Sequence, residues 1–182
     1  MRKSSLLAVL FLLPLSRADV RNCMCDVARP ETLEAPECSL CKTAEEQPAG
    51  APFFAIKDRN VERKPNRWLM LPRFHGNRPQ TLDEMTPEQR TRYWAATIAK
   101  AQELWGDEWG IAMNSTEKRT QCHMHIHIGK LLPDMENDKF VVADGPAQIP
   151  VPKDGGGQWV HPVAGKLHVH IDEPAGELKL QR

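Results

Sequence analysis

Three histidines that alternate with apolar residues form the stretch of this sequence best suited to chemistry. They are His123, His125 and His127, within the run 121–128. Side chains of a β-strand alternate between its two faces, so a strand here would place the three imidazoles in one row, about 6.6 Å apart. The apolar residues between them would face a core, whereas a helix would scatter both sets around its axis. We therefore predict a half-buried strand that carries a row of imidazoles.

A row of imidazoles suits two kinds of chemistry. Neutral imidazole is a common ligand of transition metals. Near pH 7 it is also a nucleophile, and in its protonated form it binds phosphate. Histidines on the exposed face of an edge strand would need no chemical role, but strict alternation of three favours a site. The spacing alone leaves the catalytic and the metal-binding interpretations open.

The residues around this row resemble a known signature. The pattern His-x-His-x-His at 123–127 resembles that of the HIT (histidine triad) family of nucleotidyl hydrolases and transferases. The preceding Asn-Ser-x-x-x-Arg-Thr-Gln at 114–121 is similar to the run before the triad in CDP-diacylglycerol pyrophosphatases. A generic HIT protein more often has a Gly-Gln pair and a proline before the first histidine, where this chain has Arg119 and Cys122. The resemblance covers roughly residues 38–134.

The resemblance implies a role for each histidine of the triad. It implies that His125 is the nucleophile, which forms a nucleotidyl-imidazole intermediate that water then cleaves. His123 would orient the site or bind zinc, and His127 would contact the phosphoryl oxygens. A neutral nucleophile needs one free ring nitrogen, so the other nitrogen should donate a hydrogen bond to a carbonyl group. The residues expected to bind substrate beside the triad are Asn114, Ser115, Arg119 and Gln121.

We therefore predict a hydrolase of nucleotide phosphoanhydrides. CDP-diacylglycerol, cleaved to CMP and phosphatidate, is the leading substrate, so we expect a nucleotide-containing small molecule or lipid nucleotide and a position near a membrane. No catalytic metal is required by this scheme. The alternatives are an exported, non-catalytic protein that binds zinc or another metal, and a HIT dinucleoside polyphosphate hydrolase or nucleotidyl transferase. Because HIT proteins are often dimers, a homodimer is a further expectation.

The composition predicts a globular protein without a surface for polyanions. Of the 182 residues, 41% are hydrophobic and 26% are charged, which is ordinary for one domain with tails. Lys plus Arg equals Asp plus Glu, 24 of each. Loss of residues 1–18 would remove basic residues and no acidic residue, so the remaining chain would be slightly negative. This charge argues against nonspecific binding of nucleic acid.

The N-terminal residues 1–18 have the pattern of a secretory signal peptide. Two basic residues precede the apolar run Leu6 to Leu15, and Ser16 and Ala18 are small residues at the −3 and −1 positions of a cleavage site. The apolar run is shorter than the about 20 residues that a membrane span needs. We expect an exported, periplasmic protein, with a membrane anchor formed by an uncleaved signal as the alternative.

The cysteines of the segment 19–50 leave two interpretations open. Cys38 and Cys41 have the Cys-x-x-Cys spacing of a zinc site, which is also the spacing of a redox disulfide. The HIT resemblance implies a structural zinc ion held by these two cysteines with His75 and His123. Export instead favours disulfides. The cysteines that could join either arrangement are Cys23 and Cys25.

Apolar runs bounded by proline and glycine predict the elements that position these residues. Runs of strand length begin at Phe53, Trp68 and Trp109. The run Thr-Pro-Glu-Gln at 86–89 is a strong helix start, and the apolar stripe that follows ends before Gly106. With the triad strand, these elements predict an α+β fold in which an amphipathic helix packs on a HIT-like antiparallel sheet.

Beyond the triad the resemblance ends, but strand-like runs continue. Three runs, at 140–142, 158–160 and 167–171, predict further strands. The last alternates apolar residues with His168 and His170, and we expect it to be an added strand, with a second metal or phosphate site as the alternative. The predicted segments are a signal peptide at 1–18, a Cys-rich segment at 19–50, a HIT-like catalytic domain at 51–135 and a β-rich C-terminal extension at 136–182.

Overall fold

The fold is described by a computed structural model that covers residues 20, 23–74, 81–171 and 173–182. Within these residues, seven antiparallel strands form one sheet and one long helix packs against it. This confirms the predicted α+β class. The predicted signal peptide lies outside the described residues. None of the described helices combines the length and apolar character needed to cross a membrane.

Seven short strands build the sheet. They are β1 (Phe53–Lys57), β2 (Trp68–Pro72), β3 (Trp109–Met113), β4 (Ile126–Lys130), β5 (Val141–Ala143), β6 (Gln158–Val163) and β7 (Lys166–Ile171). Their order across the sheet is β1-β2-β4-β3-β6-β7-β5, and every neighbouring pair is antiparallel. Each apolar run that predicted a strand outside the triad corresponds to one of them.

Two α-helices accompany the sheet, α1 (Ser39–Glu45) and α2 (Pro87–Trp105). α2 begins with the predicted capping box, in which the Thr86 hydroxyl accepts a bond from the Gln89 amide and the Gln89 side chain accepts one from the Thr86 amide. Gly106 ends the helix with a φ of 55°, a left-handed conformation that glycine adopts readily. The apolar stripe of α2 therefore faces the sheet as predicted.

The two faces of the sheet have different coverings. On one face, Ile126 and Ile128 of β4 are fully buried with α2 in the main core, and each such side chain contributes roughly 1.5–3 kcal/mol by its burial. The other face is covered at one end by Leu40 of α1 and further along by a 3-10 helix at Gly176–Lys179. His127 alternates with the two isoleucines, so it lies on this second face.

Strands from the predicted catalytic domain and from the predicted C-terminal extension belong to the same sheet. β3 lies between β4 and β6, with Ile111 paired to Ile128 on one side and to Val160 on the other. The stretch 136–182 thus continues the sheet that begins in 51–135. β7 pairs with β6 and β5, which confirms the prediction of an added strand.

Two disulfides fasten the N-terminal segment. Cys25 pairs with Cys38 inside this segment, and Cys23 pairs with Cys122, 99 positions further along the chain. Closure of a loop of this length restricts the unfolded chain and stabilises the fold by about 4–5 kcal/mol. Cys41 is a buried free thiol. The longer disulfide holds the N-terminal segment against the residue that directly precedes the triad.

Candidate active site

The triad lies at the start of β4, and only its last histidine belongs to that strand. β4 begins at Ile126, so the predicted strand over 121–128 is too long at its N-terminal end. The reason is that Cys122 is held by its disulfide and its amide donates to the carbonyl of Glu37, 2.9 Å away. The backbone at Cys122 is therefore bonded to the N-terminal segment. The alternation of side chains persists, because Met124 and Ile126 are fully buried in the main core.

His125 has the features of a neutral nucleophile. Its Nδ1 lies 2.9 Å from the main-chain carbonyl oxygen of His123. A carbonyl oxygen can only accept a hydrogen bond, so Nδ1 carries the proton and Nε2 keeps its lone pair. Burial lowers the pKa of His125 to about 4, so the ring is neutral at pH 7. The carbonyl partner expected for a nucleophilic histidine is therefore confirmed.

The ring of His123 is directed toward the end of β2, and it does not line the cavity that His125 and His127 line. Its ring is fully buried, and its Nε2 lies 2.7 Å from the carbonyl oxygen of Pro72 at the end of β2. The prediction of three imidazoles side by side is therefore wrong for His123, because its ring is directed to the neighbouring strand. Its carbonyl group holds the ring of His125, and this geometry suits an orienting role.

His127 lies beside His125 and faces two carboxylates. The centroids of the two imidazole rings are 4.9 Å apart. Nδ1 of His127 is 3.7 Å from Oε2 of Glu177 and 3.9 Å from Oδ2 of Asp58. Burial, and then the neighbouring His125, lowers the pKa of His127 well below its ordinary value, so this ring is also neutral at pH 7. Neither of its ring nitrogens has a hydrogen-bond partner among the described residues.

Glu177 reaches this site from the 3-10 helix near the C-terminus. Its carboxylate pairs with Nζ of Lys64 at 2.5 Å and with the buried Arg67 at 3.4 Å, and it accepts a hydrogen bond from Nδ2 of Asn114 at 3.1 Å. Burial acts to raise the pKa of Glu177, but attraction to the cation of Lys64 and the hydrogen bonds from Lys64 and Asn114 outweigh burial and lower it. Glu177 is therefore an ionised group that fixes the positions of its neighbours.

Arg119 is a buried cation with no carboxylate in ion-pair distance within the described part of the chain. Its side chain is 6% exposed, and its Nε and Nη2 have no hydrogen-bond partner there. Burial lowers the pKa of Arg119 to about 10, so the guanidinium group still carries its charge at pH 7. A buried charge is costly unless a group of opposite sign offsets it. The environment of Arg119 therefore favours the binding of an anion.

These groups line one cavity of about 230 Å³ on the second face of the sheet. It is large enough to hold a phosphate group with space for part of a larger molecule. The cavity brings together both neutral imidazoles and the unpaired guanidinium group. Its lining includes five predicted residues, Asn114, Arg119, Gln121, His125 and His127, and three that the sequence did not indicate, Asp58, Lys64 and Glu177.

Two residues predicted to bind substrate have their polar groups directed elsewhere. The amide of Gln121 accepts bonds from Ser39 and Leu40, at 2.9 and 3.2 Å, and donates one to the carbonyl of Pro36 at 3.0 Å. It therefore joins the triad region to the start of α1. Ser115 is buried and does not line the cavity, and its carbonyl group accepts bonds from two amides of the following turn.

The structure does not assemble the predicted zinc site at Cys38, Cys41, His75 and His123. Cys38 forms a disulfide with Cys25, so its sulfur is not a thiolate ligand. Burial raises the pKa of the Cys41 thiol to about 11, which opposes formation of the thiolate that zinc requires. His75 lies outside the described residues. The disulfides expected for an exported protein are thus present in place of this zinc site.

The residues that the sequence did not indicate come from two separate stretches. Asp58 and Lys64 belong to the connection between β1 and β2. No sequence pattern indicates Glu177 as a site residue, because its position at the cavity depends on where the C-terminal 3-10 helix packs. No known protein-family model matches this chain.

Proposed function

We propose that this protein hydrolyses a nucleotide phosphoanhydride through a nucleotidyl-histidine intermediate on His125. The observation that carries the proposal is a neutral imidazole of fixed tautomer in the same cavity as the buried guanidinium group of Arg119, whose Nε and Nη2 have no hydrogen-bond partner among the described residues. The guanidinium group attracts an anionic phosphate, and the imidazole supplies a nucleophile that needs no prior deprotonation at pH 7. CDP-diacylglycerol, with CMP and phosphatidate as products, is the substrate that we propose to test first.

In the first step, Nε2 of His125 attacks the phosphorus atom of the nucleotidyl group, and the bond from phosphorus to the bridging oxygen breaks. The ring becomes positively charged and keeps its proton on Nδ1, where the carbonyl group of His123 stabilises it. Arg119 and His127 bind the phosphoryl oxygens as negative charge moves onto the leaving phosphate. In the second step, water attacks the same phosphorus atom, the P–N bond breaks, and the nucleoside monophosphate leaves with net release of one proton.

The two carboxylates in the cavity are compatible with an anionic substrate. Lys64 lies 2.5 Å from Glu177 and 3.8 Å from Asp58, so a cation offsets both negative groups. Both carboxylates also face Nδ1 of His127 and favour its protonated form. The negative charge of a bound phosphoryl group adds to that of the carboxylates, so His127 takes up a proton from solvent when substrate binds and can then pass it to the leaving phosphate.

The alternatives receive different support. The metal-binding alternative loses the sulfur ligands of Cys23, Cys25 and Cys38, which are held in disulfides. The dinucleoside polyphosphate alternative would use the same chemistry on another substrate. We favour the lipid nucleotide because disulfides agree with an exported protein, which would meet its substrate at a membrane surface. Export, membrane proximity and a homodimer stay predictions.

The variant His125→Ala tests the proposed nucleophile. We expect hydrolysis of CDP-diacylglycerol in detergent micelles to fall by about 10³-fold or more, because the covalent route is lost. Wild-type protein, mixed with substrate labelled at the cytidylyl phosphate and quenched in alkali, should carry label in an acid-labile bond to histidine. His168→Ala is the matched control, since this imidazole lies outside the cavity and its loss should leave the turnover rate unchanged.

Circular dichroism and thermal unfolding would establish that both variants are folded. Turnover by His125→Ala at the wild-type rate, or label that still attaches to this variant, would remove His125 from the nucleophile role. A dinucleoside polyphosphate assayed in parallel decides the substrate. Faster cleavage of this compound than of CDP-diacylglycerol would replace the lipid nucleotide while leaving the chemistry intact.

A further inference from the structure

A second cluster of histidines lies on the β6–β7 hairpin. His161 of β6 pairs in register with His168 of β7, and His170 follows two residues later on the same face. The carboxylate of Glu136, which precedes β5, meets all three rings. Its oxygens lie 2.6 Å from Nε2 of His161, 3.1 Å from Nδ1 of His168 and 3.4 Å from Nε2 of His170. The metal-binding atoms of three of these side chains, Glu136, His161 and His168, lie within 4.8 Å of one another, and His170 contacts the same carboxylate.

Aromatic rings hold two of these imidazoles in place. Trp159 stacks on His170 with a centroid distance of 3.7 Å and an interplanar angle of 7°. Phe140 stacks on His168 at 3.9 Å and 11°. A ring that is stacked in this way loses rotational freedom, so the directions of its nitrogens are set before any ligand binds. The carboxylate side of the cluster is 43% exposed, which gives an ion access from solvent.

The buried nitrogens of the cluster lack hydrogen bonds. Within the described residues, neither ring nitrogen of His170 has a hydrogen-bond partner. Nε2 of His161 is also buried, and its close neighbour is the carboxylate of Glu136 at 2.6 Å. Buried polar atoms are normally paired, and each unpaired one costs about 1–3 kcal/mol. A cation between these atoms would bind their lone pairs and remove that cost.

We propose that this cluster binds one divalent transition-metal ion, and that Zn²⁺ fits it best. Imidazole nitrogen and carboxylate oxygen are zinc ligands, and zinc favours four of them in a tetrahedron. At ordinary zinc–nitrogen distances, neighbouring ligand atoms lie about 3.3–3.5 Å apart. The separations of His168 and His170 from Glu136, 3.1 and 3.4 Å, are close to this range, whereas that of His161, 2.6 Å, would have to lengthen when the ion binds. Mg²⁺ and Ca²⁺ prefer more oxygen ligands than one carboxylate offers. The proposed ligands are Glu136, His161 and His168, and His170, which contacts the same carboxylate, is the neighbouring candidate for the fourth position.

The proposed metal site is separate from the triad although both lie on one face of the sheet. The strand register places His127, Ala112, Trp159 and His170 in one row across four strands. Three strand spacings put the ends of that row about 14 Å apart along the sheet. The ligands of the ion come from the segment before β5 and from the hairpin, so its role is to tie these two parts of the chain together. The inference therefore does not depend on the proposed hydrolase activity.

Zinc titration of the metal-free, full-length protein tests this site. We expect one tightly bound Zn²⁺ per chain by calorimetry and elemental analysis, no binding of Mg²⁺, and a higher melting temperature in the presence of zinc. Glu136→Gln and His168→Ala should each weaken zinc binding at least tenfold. His127→Ala is the matched control, because it removes a buried imidazole of the triad and should leave zinc affinity unchanged.

Each outcome decides the proposal. Wild-type protein that binds no zinc, or unchanged affinity in both Glu136→Gln and His168→Ala, would overturn it. Loss of zinc binding in His127→Ala alone would place the ion at the triad and would also overturn it. Glu136 is partly exposed, so its isosteric replacement by Gln should not unfold the protein, and circular dichroism of each metal-free variant verifies this.

Discussion

His125 combines two features that a nucleophilic imidazole requires. Burial keeps the ring neutral, and the hydrogen bond from Nδ1 to the carbonyl of His123 decides which nitrogen keeps its lone pair. The carboxylates of Asp58 and Glu177 lie beside Nδ1 of His127, which has no carbonyl partner of this kind among the described residues. Two neighbouring histidines of the same alternating run therefore have different environments and are suited to different tasks.

Replacement of Arg119 by Met should have different effects on the stability of the fold and on the hydrolase activity. The unpaired guanidinium group is buried at a cost, so an apolar side chain of similar length should leave stability unchanged or raise it by about 1–3 kcal/mol. The same change removes the charge proposed to bind phosphate, so we expect kcat/KM to fall by about 10²-fold or more. Urea unfolding and the hydrolysis assay measure the two effects on one protein sample.

The matched control for this change is Arg92→Met, which alters an exposed arginine of α2 on the other side of the sheet. It should change the free energy of unfolding by no more than about 0.5 kcal/mol and should not affect turnover. If Arg119→Met lowers stability by several kcal/mol, the guanidinium group has a structural role that outweighs its burial, and the argument for an anion at this position fails.

At the scale of elements, the N-terminal segment and the triad are joined by a covalent bond. The disulfide from Cys23 to Cys122 closes a loop of 99 positions, whereas the one from Cys25 to Cys38 closes only 13. Gln121 adds hydrogen bonds to α1 at the same place. The backbone just before the triad is therefore held by the N-terminal segment, and β4 cannot extend into it.

The two disulfides should differ in their contribution to stability. We expect the double change Cys23→Ala and Cys122→Ala to lower the free energy of unfolding by about 2 kcal/mol more than Cys25→Ala and Cys38→Ala. The reason is that the longer loop restricts more of the unfolded chain. Denaturant unfolding of the two double variants under the same conditions makes the comparison. An equal loss for both would show that loop length does not determine what each disulfide contributes.

At the scale of the molecule, the C-terminal stretch completes both the sheet and the cavity. β6 pairs with β3 near the middle of the sheet, and Val160, Leu167 and Val169 belong to the same core as α2. Glu177 returns to the triad and pairs with Lys64 across 113 positions of sequence. The residues predicted for the candidate site all precede residue 136. The cavity nevertheless depends on both halves of the chain, because Glu177 is part of its wall.

A chain truncated after residue 135 should therefore fail to fold. It would lose several buried core side chains, each contributing roughly 1.5–3 kcal/mol, and this sum is comparable to the whole stability of a domain, about 5–15 kcal/mol. Urea titration followed by tryptophan fluorescence should show no cooperative transition. A chain that begins at residue 19 and continues to 182 is the control and should unfold cooperatively. Cooperative unfolding of the truncated chain would instead support a separate domain at 51–135.

Local patterns predicted most of the elements and part of the candidate site. Helix α2 was recognised because a capping box, a proline and a terminal glycine act within a few residues of one another. The alternation around the triad correctly separated core residues from the histidines. The start of β4 was not predicted, because a distant cysteine and the carbonyl of Glu37 hold the backbone before it. The burial of Arg119 also could not be predicted from the sequence, since it depends on which residues pack around the side chain.

The sequence by itself determined the α+β class, the position of α2 and of the strands outside the triad, and the chemical types of His125, His127 and Arg119 at the candidate site. Only the tertiary structure decided that the cysteines pair as disulfides, that His123 turns away from the cavity, and that Glu177 and Lys64 complete its wall. The physical reason is the distance along the sequence over which each interaction acts. Periodicity and capping act over a few residues, whereas disulfide pairing, burial and ion pairs depend on segments that approach only when the whole chain has folded.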